Sequence, residues 1–374
     1  MPYRRAAWAE VDLGAIARNV RALKALTPQG TRFMAVVKAD GYGHGALEVA
    51  RSALSAGADR LGVATLDEAI ALREAGITAP LHILAEVPPE GSALVLEHGI
   101  IPTVASREAA LALSRAAMLA QREAVCHLKI DTGMNRIGVR AEDAAALASR
   151  IGDLPGISIE GAFTHFATAD APGDWEFDRQ VTRFTSALET MRTEGVRPPV
   201  VHAANSAATI MHPETHHDMV RCGIALYGLP PSKAASGMVR LDPAMSIKAR
   251  VSFVKRIGLG EGVSYGFTWH AGGPTTIATL PLGYADGIHR VLSNKMSVLI
   301  GGRRCVQVGR VCMDQIMVEV PQGLDVQVGD EAVIVGRQGS EIISMDDVAE
   351  LAGTINYEMA CGFALRLERV HRSM

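Results

Sequence analysis

Lys38 is a residue with an evident chemical use. It closes the apolar run FMAVV and is followed by Ala39, Asp40 and then Gly41-Tyr42-Gly43-His44-Gly45. Three glycines in five residues let backbone approach a ligand closely, and Tyr42 can reach a phosphate oxygen. A lysine in such a place has two readings. It is either a solvated or ion-paired amine, or a desolvated amine whose pKa falls until it can form a Schiff base. Other polar residues recur in comparable positions. Lys129, Asp131 and Arg136 end or follow the run VCHLKI, and His165 ends SIEGAFTH. Asn205 and Ser206 follow VVHAA, while Arg221, Gly223 and Ile224 lie at the end of MVRCGI.

The elements that must position these residues are eight short apolar runs, near residues 33, 61, 81, 101, 125, 159, 200 and 220. Most are separated by segments with apolar residues at helical spacing, such as DEAIALREAG. Alternation of this kind predicts a parallel sheet, and near-continuous apolar runs suit strands buried on both faces. Eight runs fit an α/β architecture with an N-terminal (β/α)8 TIM-like barrel. An open doubly wound sheet is the alternative, because the link at 205–218 has only a weak helical signal. A barrel brings the C-terminal ends of its strands onto one face, and with them all the polar residues above. It also binds phosphate with the loops after strands seven and eight, here Ser206, Gly223 and Ile224. After about residue 235 the texture becomes β-rich and glycine-punctuated. The expected organisation is a barrel over 11–235 and a mostly-β domain over 236–374, possibly joined by an N-terminal strand in 1–10, with the boundary in LPPSKAASG.

Composition excludes several classes. Hydrophobic residues make up 48% and charged residues 21%, with a net charge of -3, which gives no electrostatic case for nucleic acid or an anionic membrane. Five cysteines without a C-x-x-C pair form neither a disulfide framework nor a zinc signature. The N-terminus, MPYRRAAWAEVDLG, lacks the apolar core of a signal peptide, and no run approaches the ~18 apolar residues of a membrane span. A cytoplasmic protein is expected. His212, His216 and His217, in MHPETHHD, read as a surface loop, and no metal is expected. GLGEG near residue 260 lacks the strand–helix setting of a dinucleotide fingerprint. Cys312 is given no catalytic role.

Nine segments carry a resemblance. AVVKADGYGHG, HLKIDTGMNRIGV, GAFTHFATAD, NSAA, VRCGIALYG, VSYGFTW, PLGYADGIHR, GRVCMDQIMV and NYE occur in this order over essentially the whole chain. Together they resemble the alanine racemases, the barrel-type (fold-type III) pyridoxal phosphate enzymes. Two departures stand out: Asp40-Gly41 replaces the commoner Asn-Ala, and Asn135 stands where glycine is common. Neither is expected to touch the chemistry.

The resemblance implies a set of roles. Lys38 anchors pyridoxal 5'-phosphate and serves as one of two acid/base groups. Tyr265, in VSYGF, is the other, and in the family it comes from the partner subunit, so a homodimer with shared sites is expected. Tyrosine is a poor base at its ordinary pKa of about 10, and His165 and Arg221 are the family's help for it. Arg221 faces the pyridine nitrogen and keeps it unprotonated, trading rate for reaction specificity. Without the resemblance it reads as a salt bridge tying strand eight to a neighbour. Arg136 and the backbone of Met313 bind the substrate carboxylate. Lys129 matches a lysine carbamylated in some members, or is an unmodified lysine paired with an acid. Tyr42, Ser206, Gly223, Ile224 and Tyr357 match the phosphate set, and Asn205 completes the cofactor contacts. Tyr284 and Tyr357 narrow the substrate entrance, with Asp314 beside them in the sequence pattern, and so favour a small side chain such as alanine. The implied activity is interconversion of L- and D-alanine by two bases, supplying D-alanine for peptidoglycan. Alternatives are a broader racemase accepting serine, a barrel-type decarboxylase (disfavoured by Arg221), and a pyridoxal phosphate carrier or homeostasis protein (disfavoured by the second domain and Tyr265).

Overall fold

The computed structural model describes residues 5–373. The chain divides into two compact units. The first consists of Ala15–Gly41 and Ala46–Asp242, and the second of the chain up to Gly14, Tyr42–Gly45 and the chain from Pro243 onward. The first strand, β1 (Ala7–Asp12), belongs to the second unit.

The first unit contains the eight expected runs as strands. They are β2 (Arg32–Val36), β3 (Arg60–Val63), β4 (Leu81–Glu86), β5 (Ile101–Val104), β6 (Ala124–Asp131), β7 (Ile157–Phe163), β8 (Val200–His202) and β9 (Met219–Cys222). They pair in parallel in the order β9-β2-β3-β4-β5-β6-β7-β8. Asp218 N donates to Val201 O at 3.0 Å and Arg221 N to Ala204 O at 3.0 Å, joining the last strand to the seventh. The sheet therefore closes, and the barrel rather than the open sheet is the fold. Strands β3, β5 and β9 are buried at every position, which is why their sequences run apolar without alternation.

The helices between strands begin where short polar side chains satisfy free N–H groups. Thr65 and Glu68 form a capping box at Leu66–Glu74, Ser106 caps Arg107–Ala120, and Asp174 caps Trp175–Thr193. The weak 205–218 link holds a six-residue helix, Ser206–Met211, and a 3-10 turn, Pro213–Thr215, too short to show a period. One reading in this segment is corrected. His216 is not on a surface loop: it is buried, and its Nε2–H donates to Thr209 O at 2.9 Å.

The second unit is built on a ten-stranded sheet. Its further strands are β10 (Met245–Arg250), β11 (Phe253–Ile257), β12 (Thr275–Leu280), β13 (Ser297–Ile300), β14 (Arg303–Gln307), β15 (Ile316–Val320), β16 (Glu331–Gln338), β17 (Glu341–Ile343) and β18 (Glu368–Arg372). They order as β11-β12-β15-β14-β13-β16-β10-β1-β18, with β17 on β16. All these pairs are antiparallel except β1 with β18. In β10 and β15 buried positions alternate with more exposed ones, the pattern of a sheet with one covered face.

Candidate active site

Lys38 follows β2 after a single residue, Val37, at the C-terminal end of the barrel strands. The backbone after it turns left-handed: Ala39, Asp40 and Gly41 have φ of 52°, 51° and 61°. For residues with a Cβ this costs about 1–2 kcal/mol each, and such strain persists only where surroundings enforce it. Ala39 N donates to Glu68 Oε1 at 2.6 Å, Gly41 N to Val37 O at 2.9 Å, and Ala46 N to Asp40 Oδ1 at 2.9 Å. Glu68 accepts again from Ala64 N at 2.8 Å, so the helix cap of the next β/α unit also holds the lysine loop. The departures at 40 and 135 are compatible with the backbone. Asp40 and Asn135 (φ 54°) both lie in the left-handed region that Asp and Asn tolerate best among residues with a Cβ.

Arg221, in β9, is buried and fully directed. Its Nη1 donates to His202 Nδ1 at 3.0 Å. Its Nη2 donates to Thr164 O at 2.8 Å, Ala203 O at 2.9 Å and His165 Nδ1 at 3.2 Å. Burial lowers its pKa to about 9, so it remains a cation at neutral pH. None of these partners is a carboxylate, so the salt-bridge reading of this residue does not hold. Burial, with Arg221 second, pushes His165 well below the ordinary histidine range. A neutral His165 that accepts at Nδ1 carries its proton on Nε2.

The remaining barrel residues fall at the same strand ends. Lys129, in β6, is buried, with Nζ 4.4 Å from the centre of the Phe163 ring, and makes no ion pair among the described residues. Burial first, then Arg221 and Arg136, holds its pKa well below the lysine range. Arg136 is exposed in the loop after β6. Asn205 caps the helix Ser206–Met211, its Oδ1 accepting from Ala208 N at 3.0 Å. Ser206 Oγ accepts from Gly223 N at 2.9 Å, and the buried Ile224 begins the next 3-10 turn.

The other candidates lie in the second unit. Tyr42 is buried, which raises its pKa, and its ring centre is 6.4 Å from that of Tyr357. Next to it Gly43 has φ +77°, and a Cβ there would lie 2.5 Å from Ala360 O. Tyr265, Tyr284 and Met313 are exposed. Tyr265 follows Ser264, whose hydroxyl donates to Arg310 O at 2.7 Å. Tyr284 N donates to Cys312 O at 2.9 Å and Ala285 N to Met313 O at 3.0 Å, tying two candidate loops together. Asp314 accepts from Arg366 at 2.5 Å.

Sequence reasoning missed two features. Asp286 is fully buried and holds the Tyr284 loop, accepting from Gly283 N at 2.8 Å, from Arg366 at 2.6 Å and from Arg5. Burial raises its pKa, but these bonds leave it below the ordinary carboxylate range. The second is a chain of hydrogen-bonded polar groups from the barrel strands, the half-buried Glu160 with the buried Arg60, His127 and His202, which ends on Arg221. A lone histidine within each of the runs VCHLKI and VVHAA was its visible signal.

Two family profiles, described as "Alanine racemase, N-terminal domain" and "Alanine racemase, C-terminal domain", match residues 11–231 and 244–371. An alanine racemase of Symbiobacterium thermophilum is 48% identical over 98% of this chain and 97% of its own. Among solved structures, an alanine racemase from Bacillus anthracis with bound L-Ala-P has a TM-score of 0.94 at 39% identity, covering 100% of this chain and 96% of that one. A histidine racemase from Leuconostoc mesenteroides has a TM-score of 0.92 at 32% identity, covering 100% and 99%.

Proposed function

The chain belongs to the alanine racemase family, and from that premise we propose that it interconverts L- and D-alanine with pyridoxal 5'-phosphate and two opposed proton carriers. The observation that carries this reading is Arg221, a buried donor-only group placed against neutral His165, where a barrel-type decarboxylase would present an acid.

The residues fit the cofactor. Arg221 uses Nη1 and Nη2 on protein acceptors, while its Nε–H has no acceptor among the described residues, which suits the lone pair of a pyridine nitrogen. Lys38 would hold the aldehyde carbon, and the Ser206 hydroxyl with the N–H groups of Gly223 and Ile224, together with Tyr42 and Tyr357, would hold the phosphate. When bound, the cofactor draws off the electrons left at Cα as its proton departs. The residues do the rest. The amine of Lys38 takes or returns a proton on one face, and the phenol of Tyr265 does so on the other. The Nε2–H of His165 stabilises the phenolate that Tyr265 becomes. Arg136, with the Met313 backbone, fixes the substrate carboxylate, and Tyr284 and Tyr357, beside Asp314, restrict the side chain to a small one.

This reading assigns the cofactor barrel to 11–235, and to 236–374, with the N-terminal strand, the domain that lends Tyr265 to a partner in a cytoplasmic homodimer. Tyr265 (72% exposed), Phe267 (62%) and Phe253 (57%) line one groove of the second unit with Ile257 and Val263, an apolar surface of the kind that partners cover. Among the described residues no helix is long and apolar enough to cross a membrane.

The test is to incubate the purified protein and pyridoxal phosphate with single L-amino acids in heavy water, following Cα exchange and optical rotation. Alanine should exchange and invert fastest. Exchange without inversion, or faster inversion of histidine or serine, overturns the assignment.

A further inference from the structure

The hydrogen-bonded chain that ends on Arg221 permits only one arrangement of protons. A guanidinium has only donors, so Arg221 Nη1 donates to His202 Nδ1 at 3.0 Å. Neutral His202 then carries its proton on Nε2 and donates to His127 Nδ1 at 2.8 Å. His127 in turn carries its proton on Nε2 and donates to Glu160 Oε2 at 2.9 Å. Glu160 can only accept. Arg60 holds it by two bonds, at 2.8 and 2.7 Å, and hydrogen bonds from Arg60 and His127 keep it ionised. Burial keeps both imidazoles neutral. The five groups come from five strands, β3, β7, β6, β8 and β9, and every proton in the chain points from Arg221 toward Glu160.

We propose that Glu160, clamped by Arg60, is a positioning residue. Acting through the tautomers of His127 and His202, it holds Arg221 oriented and protonated at the other end of the relay. This rests on the reading of Arg221 as the partner of the cofactor ring. The buried cation is balanced through two neutral imidazoles rather than by a touching carboxylate, which would compete for the donors that face His165 and the ligand.

A metal site is the rival explanation, because ligand atoms of His82, His127 and His202 lie within 4.8 Å of one another. A metal on His202 Nε2 would move that ring's proton to Nδ1. There it would oppose the Arg221 Nη1 donor at 3.0 Å, donor against donor. The hydrogen-bond relay has no such conflict.

The test is a long-range 1H–15N correlation spectrum of histidine-labelled protein. In the wild type His127 and His202 should both show the Nε2–H tautomer. Glu160→Gln offers one acceptor oxygen where Arg60 and His127 need two, so His202 should shift to a mixed or reversed tautomer. With it kcat for alanine should fall about tenfold to a hundredfold at little-changed KM, and Glu160→Asp should restore both. An Nδ1–H or charged His202 in the wild type overturns the proposal, as does a Glu160→Gln protein that loses kcat with native tautomers. The wild-type spectrum decides even where the variant does not fold. A wild type with the expected tautomers but no racemisation overturns the proposed function and leaves the relay intact.

Discussion

Lys129 is closed off from water beside two guanidiniums, and burial first, then Arg221 and Arg136, lowers its pKa well below the lysine range, which favours the neutral amine. The nearby Asp131 carboxylate is engaged by backbone groups, accepting from Gly133 N at 2.9 Å and Asn135 N at 3.1 Å. A neutral amine adds to carbon dioxide, losing a proton to give a carbamate, and that anion would suit Arg136. We expect a carbamate resonance in the 13C spectrum of protein equilibrated with labelled bicarbonate, and its loss in Lys129→Ala. A wild type without the resonance removes this role. The buried histidines make a second prediction. His82, His165 and His202 are held neutral, burial being the largest cause, whereas in the unfolded chain they take up protons near pH 6.5. Below that pH the unfolded state binds more protons, so stability falls as pH falls, by about 1.4 kcal/mol per residue per pH unit. Three residues give about 4 kcal/mol between pH 7.5 and 5.5. Urea midpoints measured at pH 7.5 and 5.5 should differ accordingly, and equal midpoints would count against neutral burial.

At the scale of elements, the loops carry the tightest constraints. Gly43 combines φ +77° with a backbone carbonyl 2.5 Å from any added Cβ, so Gly43→Ala should destabilise by about 1–3 kcal/mol. Asn135→Gly, at a position where the backbone is already left-handed, should stay within about 0.5 kcal/mol. Thermal melts of the two variants separate these expectations, and equal melting temperatures would refute the strain argument. The strands were the legible part. Buried on both faces, they had to be apolar throughout, so eight runs such as FMAVV and MVRCGI marked the barrel. Strand ends then located Lys38, His165 and Arg221. What stayed hidden depends on partners distant in the chain. Nothing near Asp286 announces that Arg5 and Arg366 bind it. His127 and His202 looked like single core histidines, because their hydrogen bonds run across strands rather than along them. The short Ser206–Met211 helix was faint because six residues make fewer than two turns.

For the whole molecule the proposed reading has Tyr265 of one chain serving Lys38 of its partner. The two residues belong to different units of the fold, and Tyr265 is 72% exposed. Lys38→Ala should abolish racemisation, and Tyr265→Phe should remove most of the reaction starting from L-alanine. Mixing the two inactive proteins under conditions of subunit exchange tells the arrangements apart. If Tyr265 serves the partner's barrel, a mixed dimer regains one complete site: the subunit that keeps Lys38 receives the intact tyrosine of the other. Random exchange makes about half the dimers mixed, each with one of its two sites restored, so activity should recover to about a quarter of the wild-type value. If Tyr265 serves its own barrel, every site in the mixture lacks one proton carrier and no activity returns. Recovery should also disappear on dilution below the dimer dissociation constant, since a separated subunit then holds only one of the two groups that racemisation requires.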